Sequence, residues 1–459
     1  MKPIPLLLLS SFMIISCAQA DELGAPQLYL ENCASCHGTG PEGGSAPSLF
    51  DGVLMHGSNL DSLKANIAYG IDDGGMPGFE GGLTDGQITK LALFIQAGDP
   101  PALLKKLEKT PAVKLVGSLA DQVTIADYIT DVDKPWGFVF LDENTLLITE
   151  KDGKLLRVET SGTKTEIKGI PEVKSSGQGG LLDVALDPDY SENGWIYLTF
   201  SHGMSGKSMT KLVRGKIEGN QWVNEETLFE AKVQHYVSGG RHFGSRITFD
   251  AEGRLYFSIG DRGQKEQAQD IGVPNGKIHR INRDGSIPED NPFRFKDYPS
   301  IYSFGNRNPQ GLIMHPGSGV LWSTEHGPKG GDEINVIRSG KNYGWPAISY
   351  GRNYNGSELT PYQAKPGMEQ PASHWTPSIA ACGLDVYTGD LFPDWKGRLL
   401  AGSLAYQSLR LIEVNDDQYI GEVEILSDEG RIRDVTTGPD GAIYVALPSK
   451  IIRLSPRPD

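Results

Sequence analysis

Cys33-Ala34-Ser35-Cys36-His37 has the spacing by which two thiols take a c-type haem through thioether bonds while the adjoining imidazole ligates the iron. The opposite face of such an iron needs a second ligand, and a soft thioether there raises the potential. Met76, in the Gly-rich run DDGGMPGFEGG, fits that place. Met55, beside His56, is the competitor, although it precedes the middle helix and suits a pocket wall better. The chemistry of this front segment is electron transfer. A second group of polar residues stands in Gly-flanked stretches further on: SSGQGGLLDVALDPDY, GGRHFGSRITFD, YSFGNRNPQGLIMHP, STEHGPKGGDEINVIRSGKNYGWP and EGRIRDV. They contain Arg307, Arg431 and Arg433, and three guanidinium groups converging from such loops suit an anionic cofactor. A single arginine of this kind reads as a surface ion pair by default.

Two kinds of scaffold must position these groups. Residues 21–100 read as helical segments around loops, and LTDGQITKLALFIQAG is the clearest. Thr84 and Gln87 make a capping box, Ile88, Leu91, Ala92 and Ile95 form one apolar stripe, and Gly98 with Pro-Pro ends the helix. CASCHG, the Met-Pro loop and this terminal helix resemble the small class I cytochromes c, an all-α domain. Residues 101–120 read as a linker. From 121 to 459, strand-like runs alternate with Gly, Asp and Pro turns. One unit recurs, starting at Phe138, Val184, Ile247, Leu312, Leu391 and Val435: a strand, a tight turn and a second apolar strand, generally followed by another. Six copies predict an all-β six-bladed β-propeller, and a β-sandwich fits them poorly.

Composition narrows the classes of function. The chain of 459 residues has a formal net charge of −15 and no long basic run, which excludes a backbone-neutralising nucleic-acid binder. Its 57 Gly and 29 Pro are spread without a period, as a turn-rich globular protein requires. MKPIPLLLLSSFMIISCAQA reads as an export signal, with Lys2, an apolar run too short to span a bilayer, and Ala18-Gln19-Ala20 as cleavage site. Ile14-Ile15-Ser16-Cys17 also resembles a lipoprotein signal in which Cys17 is lipidated; discard of Cys17 with the signal is the favoured reading. A periplasmic protein with no transmembrane span in the mature chain is expected.

GQGGLLDVALDPDY, GNRNPQGL, HGPKGGDEINVI, NYGWP and RIRDV, in that order from about Pro135 to the C-terminus, resemble the soluble sugar dehydrogenases dependent on pyrroloquinoline quinone (PQQ). The likeness is nearer to the aldose sugar dehydrogenase branch than to soluble glucose dehydrogenase. It implies an aldose substrate, PQQ across the propeller axis, and transfer of electrons to the haem and then to a soluble cytochrome or respiratory-chain acceptor. His242 matches the general base, and Arg307 the residue polarising the quinone oxygen that receives charge. Gln178, Asn308, Ser378, Arg431 and Arg433 match PQQ contacts. Calcium is implied at the carbonyls of Gly327 and Pro328, against PQQ, and at a structural site of Glu333 with the Tyr343 carbonyl. Two positions depart from the glucose-oxidising pattern: Arg241 stands where an Asp precedes the base, and Ala405 where a Lys is expected. His202, His235, His279, His315 and His374 read as structural or surface residues, and His326, beside the calcium loop, is left open. A sorbosone-type aldehyde dehydrogenase, a calcium-dependent lactonase-like hydrolase and a non-enzymatic ligand-binding propeller with a haem relay are the alternatives.

Overall fold

The computed structural model describes residues 25–37, 46–50, 54–71, 76, 78–97 and 115–458. The export signal with Cys17, the stop at Gly98 and residues 101–114 of the linker reading lie outside them, as does the side chain of Cys36. The chain divides into two compact units, Met1–Leu107 and Glu108–Asp459.

In the first unit the described helices are Ala25–Asn32, Ala34–His37, Leu60–Tyr69 and Asp85–Ala97. Their starts follow from side chains that replace missing intrahelical partners. The Asn59 carboxamide accepts from the Ser62 N–H at 2.8 Å. Thr84 and Gln87 exchange side-chain bonds with each other's backbone N–H at 2.8 and 3.2 Å, the expected capping box. Ile88, Leu91, Ala92 and Ile95 are all buried, packing with Leu28, Tyr29, Leu63 and Ile67.

The second unit is a six-bladed β-propeller: five sheets of four strands and one of five. Blades 1 to 6 span 135–167, 181–229, 247–304, 309–375, 381–426 and 434–456. The first strands of successive blades touch in turn, and that of blade 6 touches that of blade 1, so the ring closes. Blade 6 takes its outer strand, Val123–Thr130, from the N-terminal side, antiparallel to Lys450–Pro456. Blade 5 gains a fifth, Leu115–Ser118, parallel to Gln418–Leu426; it lies within the stretch read as linker.

Five of the six repeat units coincide with the first strands of blades. In blade 5 the first strand is Ala381–Val386, ahead of the unit starting at Leu391. Leu391 lies in the connection, and Pro393 opens a 3-10 turn, Pro393–Trp395, that a strand could not accommodate. Near the axis, the buried Arg246 ties blades together. Its Nη1 lies 2.9 Å from Asp183 Oδ1 and 3.0 Å from Asp434 Oδ1, and its Nε donates to the Gln310 carbonyl at 3.0 Å. Removing one member would strand a buried charge, a loss of about 3–5 kcal/mol.

Candidate functional site

Antiparallel pairing puts the start of a blade's first strand and the end of its second on one face. The polar loops of the sequence occupy those ends. Gln178 precedes Leu181–Leu186, His242 precedes Ile247–Phe249, and Arg307-Asn308 precede Pro309–Met314. Ser378 precedes Ala381–Val386, and Arg431 and Arg433 precede Asp434–Thr437. Asp261 follows Leu255–Ile259, and His326-Gly327-Pro328 follow Leu321–Glu325. The fold therefore gathers them on one face.

His242 sits in a tight loop at φ +52°, in the left-handed region that a non-glycine residue rarely adopts. Its N–H donates to Gln178 Oε1 at 2.7 Å, and the Gln178 N–H donates to the Gly240 carbonyl at 2.7 Å. Gly260 is needed alongside, because a Cβ there would stand 2.3 Å from the His242 carbonyl oxygen. Nδ1 of His242 lies 2.6 Å from Asp261 Oδ1. With a carboxylate as its partner Nδ1 carries the proton, and Nε2 is left as the basic nitrogen. Burial holds the imidazole below its ordinary pKa; the Asp261 bond opposes this and the Arg307 charge adds to it. Asp261 is 1% exposed. Burial raises its carboxyl, but the bond from His242, that imidazole's charge and the Gly263 N–H together outweigh it and hold the group below the usual range.

Three supports of this site have roles that local spacing does not encode. Asp261 and Arg262 lie in an ordinary strand-end turn, SIGDRG, and Trp345 lies in NYGWP, which stands out only through the family resemblance. In the fold the Trp345 indole donates to Asp261 Oδ2 at 2.8 Å, and the Arg307 guanidinium stands 5.3 Å from its ring. Arg262 stacks on Phe243 at 3.4 Å and binds the carbonyls of Gly239 and Arg241, gripping the loop that carries His242. Arg241 itself is exposed.

Arg307 is fixed by its own N–H on Glu325 Oε2 at 2.6 Å and by Nη1 on the His326 carbonyl at 3.0 Å. Arg431 Nη1 meets the Leu404 carbonyl at 3.2 Å, next to Ala405, and Arg433 Nη1 meets Gln310 Oε1 at 2.9 Å. Among the described residues none of these three arginines pairs with a carboxylate. Burial, then the neighbouring Arg433 charge, lowers the Arg431 pKa. His326 feels two of them: burial first, then the charges of Arg307, Arg433 and His242, push its imidazole down to about 3. Arg307 Nε, Asn308 Nδ2 and His326 Nε2 are buried without a hydrogen-bond partner. Asn308 Oδ1 accepts from the Gly244 N–H at 3.1 Å. Unpaired guanidinium charge and orphaned donors on one face fit a polar anionic ligand.

The loop from Gly327 to Glu333 is folded on itself. Asp332 Oδ1 accepts from the Gly327 N–H at 2.9 Å and from the Ser378 hydroxyl at 2.7 Å. A Cβ at Gly327 would lie 2.2 Å from the Gly331 carbonyl oxygen. The Pro328 residue is buried. Beneath, Asn335 Nδ2 bridges Glu325 Oε1 at 3.2 Å and Glu333 Oε2 at 3.1 Å. Burial raises both carboxyls, Glu325 to about 7, and Glu333 further through the charge of Glu325. A cavity of about 10 Å³ beside them is lined by Arg307, Tyr343 and Ser349 among others. Two apposed carboxylates, Glu325 buried and Glu333 half-buried, with room for about one water-sized body fit a hard cation. Tyr343 is buried, its hydroxyl donating to the Val336 carbonyl at 2.6 Å. Among the described residues no group of three or more His, Cys, Asp or Glu could hold a metal.

In the first unit Cys33 is buried, and His37 Nδ1 bonds the Pro47 carbonyl at 2.8 Å, which orients Nε2 for a metal. Met76 is half-buried, its backbone paired with Ile71 at 2.9 and 3.2 Å; Met55 is 74% exposed. The His37 contact fits an imidazole held for an iron.

Residues 132–453 match the family described as Glucose / Sorbosone dehydrogenase, and residues 22–95 match Cytochrome C oxidase, cbb3-type, subunit III. The chain belongs to the glucose/sorbosone dehydrogenase family of oxidoreductases and carries a cytochrome c domain in front of the propeller. It is 39% identical over 339 residues to the aldose sugar dehydrogenase YliI of Escherichia coli, covering 71% of this chain and 91% of that one. The structure of the soluble aldose sugar dehydrogenase from Escherichia coli in the apo-form aligns with a TM-score of 0.70 at 37% identity, covering 73% of this chain and 100% of that one. A PQQ-bound aldose sugar dehydrogenase from Streptomyces coelicolor aligns at 0.60 and 25% identity, over 76% of this chain and 100% of that one. No helix among the described residues is long and apolar enough to cross a membrane.

Proposed function

We propose that this chain is an exported, periplasmic quinohaemoprotein that oxidises aldose sugars at the anomeric carbon to lactones. The observation carrying this reading is the His242–Asp261 dyad beside the Arg307 charge, at strand ends of the face that also gathers Arg431 and Arg433, none of the three arginines having an acidic partner among the described residues. The relatives that carry the name aldose sugar dehydrogenase support it.

His242 Nε2 takes the proton of the anomeric hydroxyl, and Asp261 stabilises the resulting imidazolium through Nδ1–H. The depressed pKa keeps the base neutral at working pH. Arg307, held by Glu325 and His326, offers positive charge where negative charge develops, as an oxyanion hole does. Arg431 and Arg433, with Gln178, Asn308 and Ser378, would hold PQQ. PQQ when bound supplies a hydride-accepting quinone, so each aldose gives up two electrons and two protons on becoming a lactone. The carbonyls of Gly327 and Pro328 would hold one calcium, and Glu333 with the Tyr343 carbonyl another; the ion supplies Lewis acidity and loop rigidity. Cys33 and Cys36 would bind one covalent haem, with His37 and Met76 on its iron. Haem c when bound supplies a one-electron carrier, an exit toward a soluble cytochrome or respiratory component.

The test is to add PQQ and calcium to the protein with its haem oxidised, supply aldoses and aldehydes, and follow haem absorbance. Reduction by aldoses is expected. No reduction by any sugar or aldehyde would sink the relay, and preference for a sorbosone-type aldehyde would reassign the substrate.

A further inference from the structure

We infer that Tyr354 is the platform on which the substrate's pyranose ring stacks, an inference that rests on the aldose reading above. Tyr354 is 73% exposed, although it lies at the site and not on a remote surface. Its hydroxyl accepts from Arg307 Nη2 at 3.4 Å, and Arg307 is 5% exposed. The phenol thus reaches down to a buried cation while its ring stays bare to solvent.

The loop holds the ring there by backbone and side-chain bonds. The neighbouring Arg352 exchanges backbone bonds with Lys329 at 2.9 and 3.1 Å, tying this segment to the loop of Gly327 and Pro328. On the other side the Asn353 N–H donates to the Ser357 carbonyl at 3.0 Å, and Asn353 Nδ2 donates to Ser357 Oγ at 3.1 Å and the Glu358 carbonyl at 3.0 Å. An aromatic face presented this way loses the free energy of burying its area unless something covers it. A pyranose has an apolar C–H face that packs on such a ring and a polar rim that bonds to neighbouring donors, here the Arg307 guanidinium. Stacking orients the ring before reaction, and it should discriminate cyclic aldoses from short acyclic ones.

Tyr354→Ala, Tyr354→Phe and wild type, all as full-length holoenzyme, would be compared on hexopyranoses and on glyceraldehyde. Tyr354→Ala is expected to raise KM for hexopyranoses about tenfold with kcat within about twofold, and to leave unchanged the oxidation of glyceraldehyde, whose gem-diol hydrate offers the base a hydroxyl but no ring face. Tyr354→Phe, which keeps the ring, should stay within about twofold of wild type. Equal losses on both substrates, or a Phe variant as poor as the Ala variant, would overturn the inference. Saturation-transfer NMR on the same proteins reads sugar binding without turnover: transfer to the C–H face of glucose is expected in wild type and Tyr354→Phe and lost in Tyr354→Ala. Transfer surviving in Tyr354→Ala overturns the platform. Wild type that binds glucose through Tyr354 yet turns over no aldose would keep the platform and refute the dehydrogenase chemistry.

Discussion

Asp261→Asn separates a base held by its partner from a histidine that merely sits in the site. In the native protein a carboxylate faces Nδ1 of His242 at 2.6 Å, the Trp345 indole completes its other oxygen at 2.8 Å, and solvent is excluded. Asparagine is nearly isosteric, so the fold should stand while the charge is lost. A hydrogen bond to a charged group contributes roughly 1.5–3 kcal/mol, equivalent to about one to two pK units of imidazolium stabilisation. The sign follows: removing the anion disfavours the protonated imidazole, so the pKa of His242, already below its ordinary value, falls further. Activity needs the neutral base and disappears as pH drops through that pKa. The acid limb of kcat/KM should therefore move to lower pH by about one to two units. The plateau should also fall, by about tenfold to several thousandfold, since the amide no longer selects the Nδ1–H tautomer. The assay is the initial rate of haem reduction by an aldose held well below its KM, so that it reads kcat/KM, across pH 4 to 9 (roughly the span needed to bracket an imidazole). An acid limb that stays in place or moves upward, or a plateau at the wild-type level, would falsify the assignment of base and partner.

Other outcomes follow from the same geometry. Arg433→Ala removes one of the unpaired guanidinium groups and should weaken PQQ retention about tenfold or more, read by fluorescence titration of the apo-protein. Glu325 and Glu333 both have raised pKa values in the fold, so the cation-free protein loses stability as pH rises from about 4.5 through about 7. Calcium should then raise the melting temperature more at pH 8 than at pH 5, and an equal rise at both would contradict a site at these carboxylates. Met76→Ala should lower the haem midpoint potential and change its axial-ligand spectrum, whereas Met55→Ala, at an exposed position, should do neither.

Strand alternation, turn residues and the six recurring units made the blades legible, because those local patterns are what closes a propeller. The unit starting at Leu391 falls outside the first strand of blade 5 because Leu-Phe-Pro has a strand's composition, while Pro393 opens a turn. Arg307, Arg431 and Arg433 are visible as chemistry because they sit in Gly-flanked loops, and His242 through the resemblance of its stretch to the sugar dehydrogenases. The supporting roles of Asp261, Arg262 and Trp345 are not, since they depend on tertiary contacts, Trp345 with Asp261 and Arg262 with Phe243, that no local spacing encodes. The Glu325–Glu333 pair was half visible: GGDE drew attention to Glu333, but Glu325 ends a strand as an ordinary acidic residue.

Val123–Thr130 and Leu115–Ser118 have a practical consequence for separating the two activities. A propeller cut to begin at blade 1 would lack the outer strand of blade 6 and the added strand of blade 5, exposing two unpaired edges. Such a fragment should aggregate even with every cofactor-facing loop intact. An independently folding dehydrogenase must keep the chain from Leu115 onward, and a haem domain is best released by cleavage before that residue. The ring is thus latched by the segment that comes directly after the haem domain in the chain.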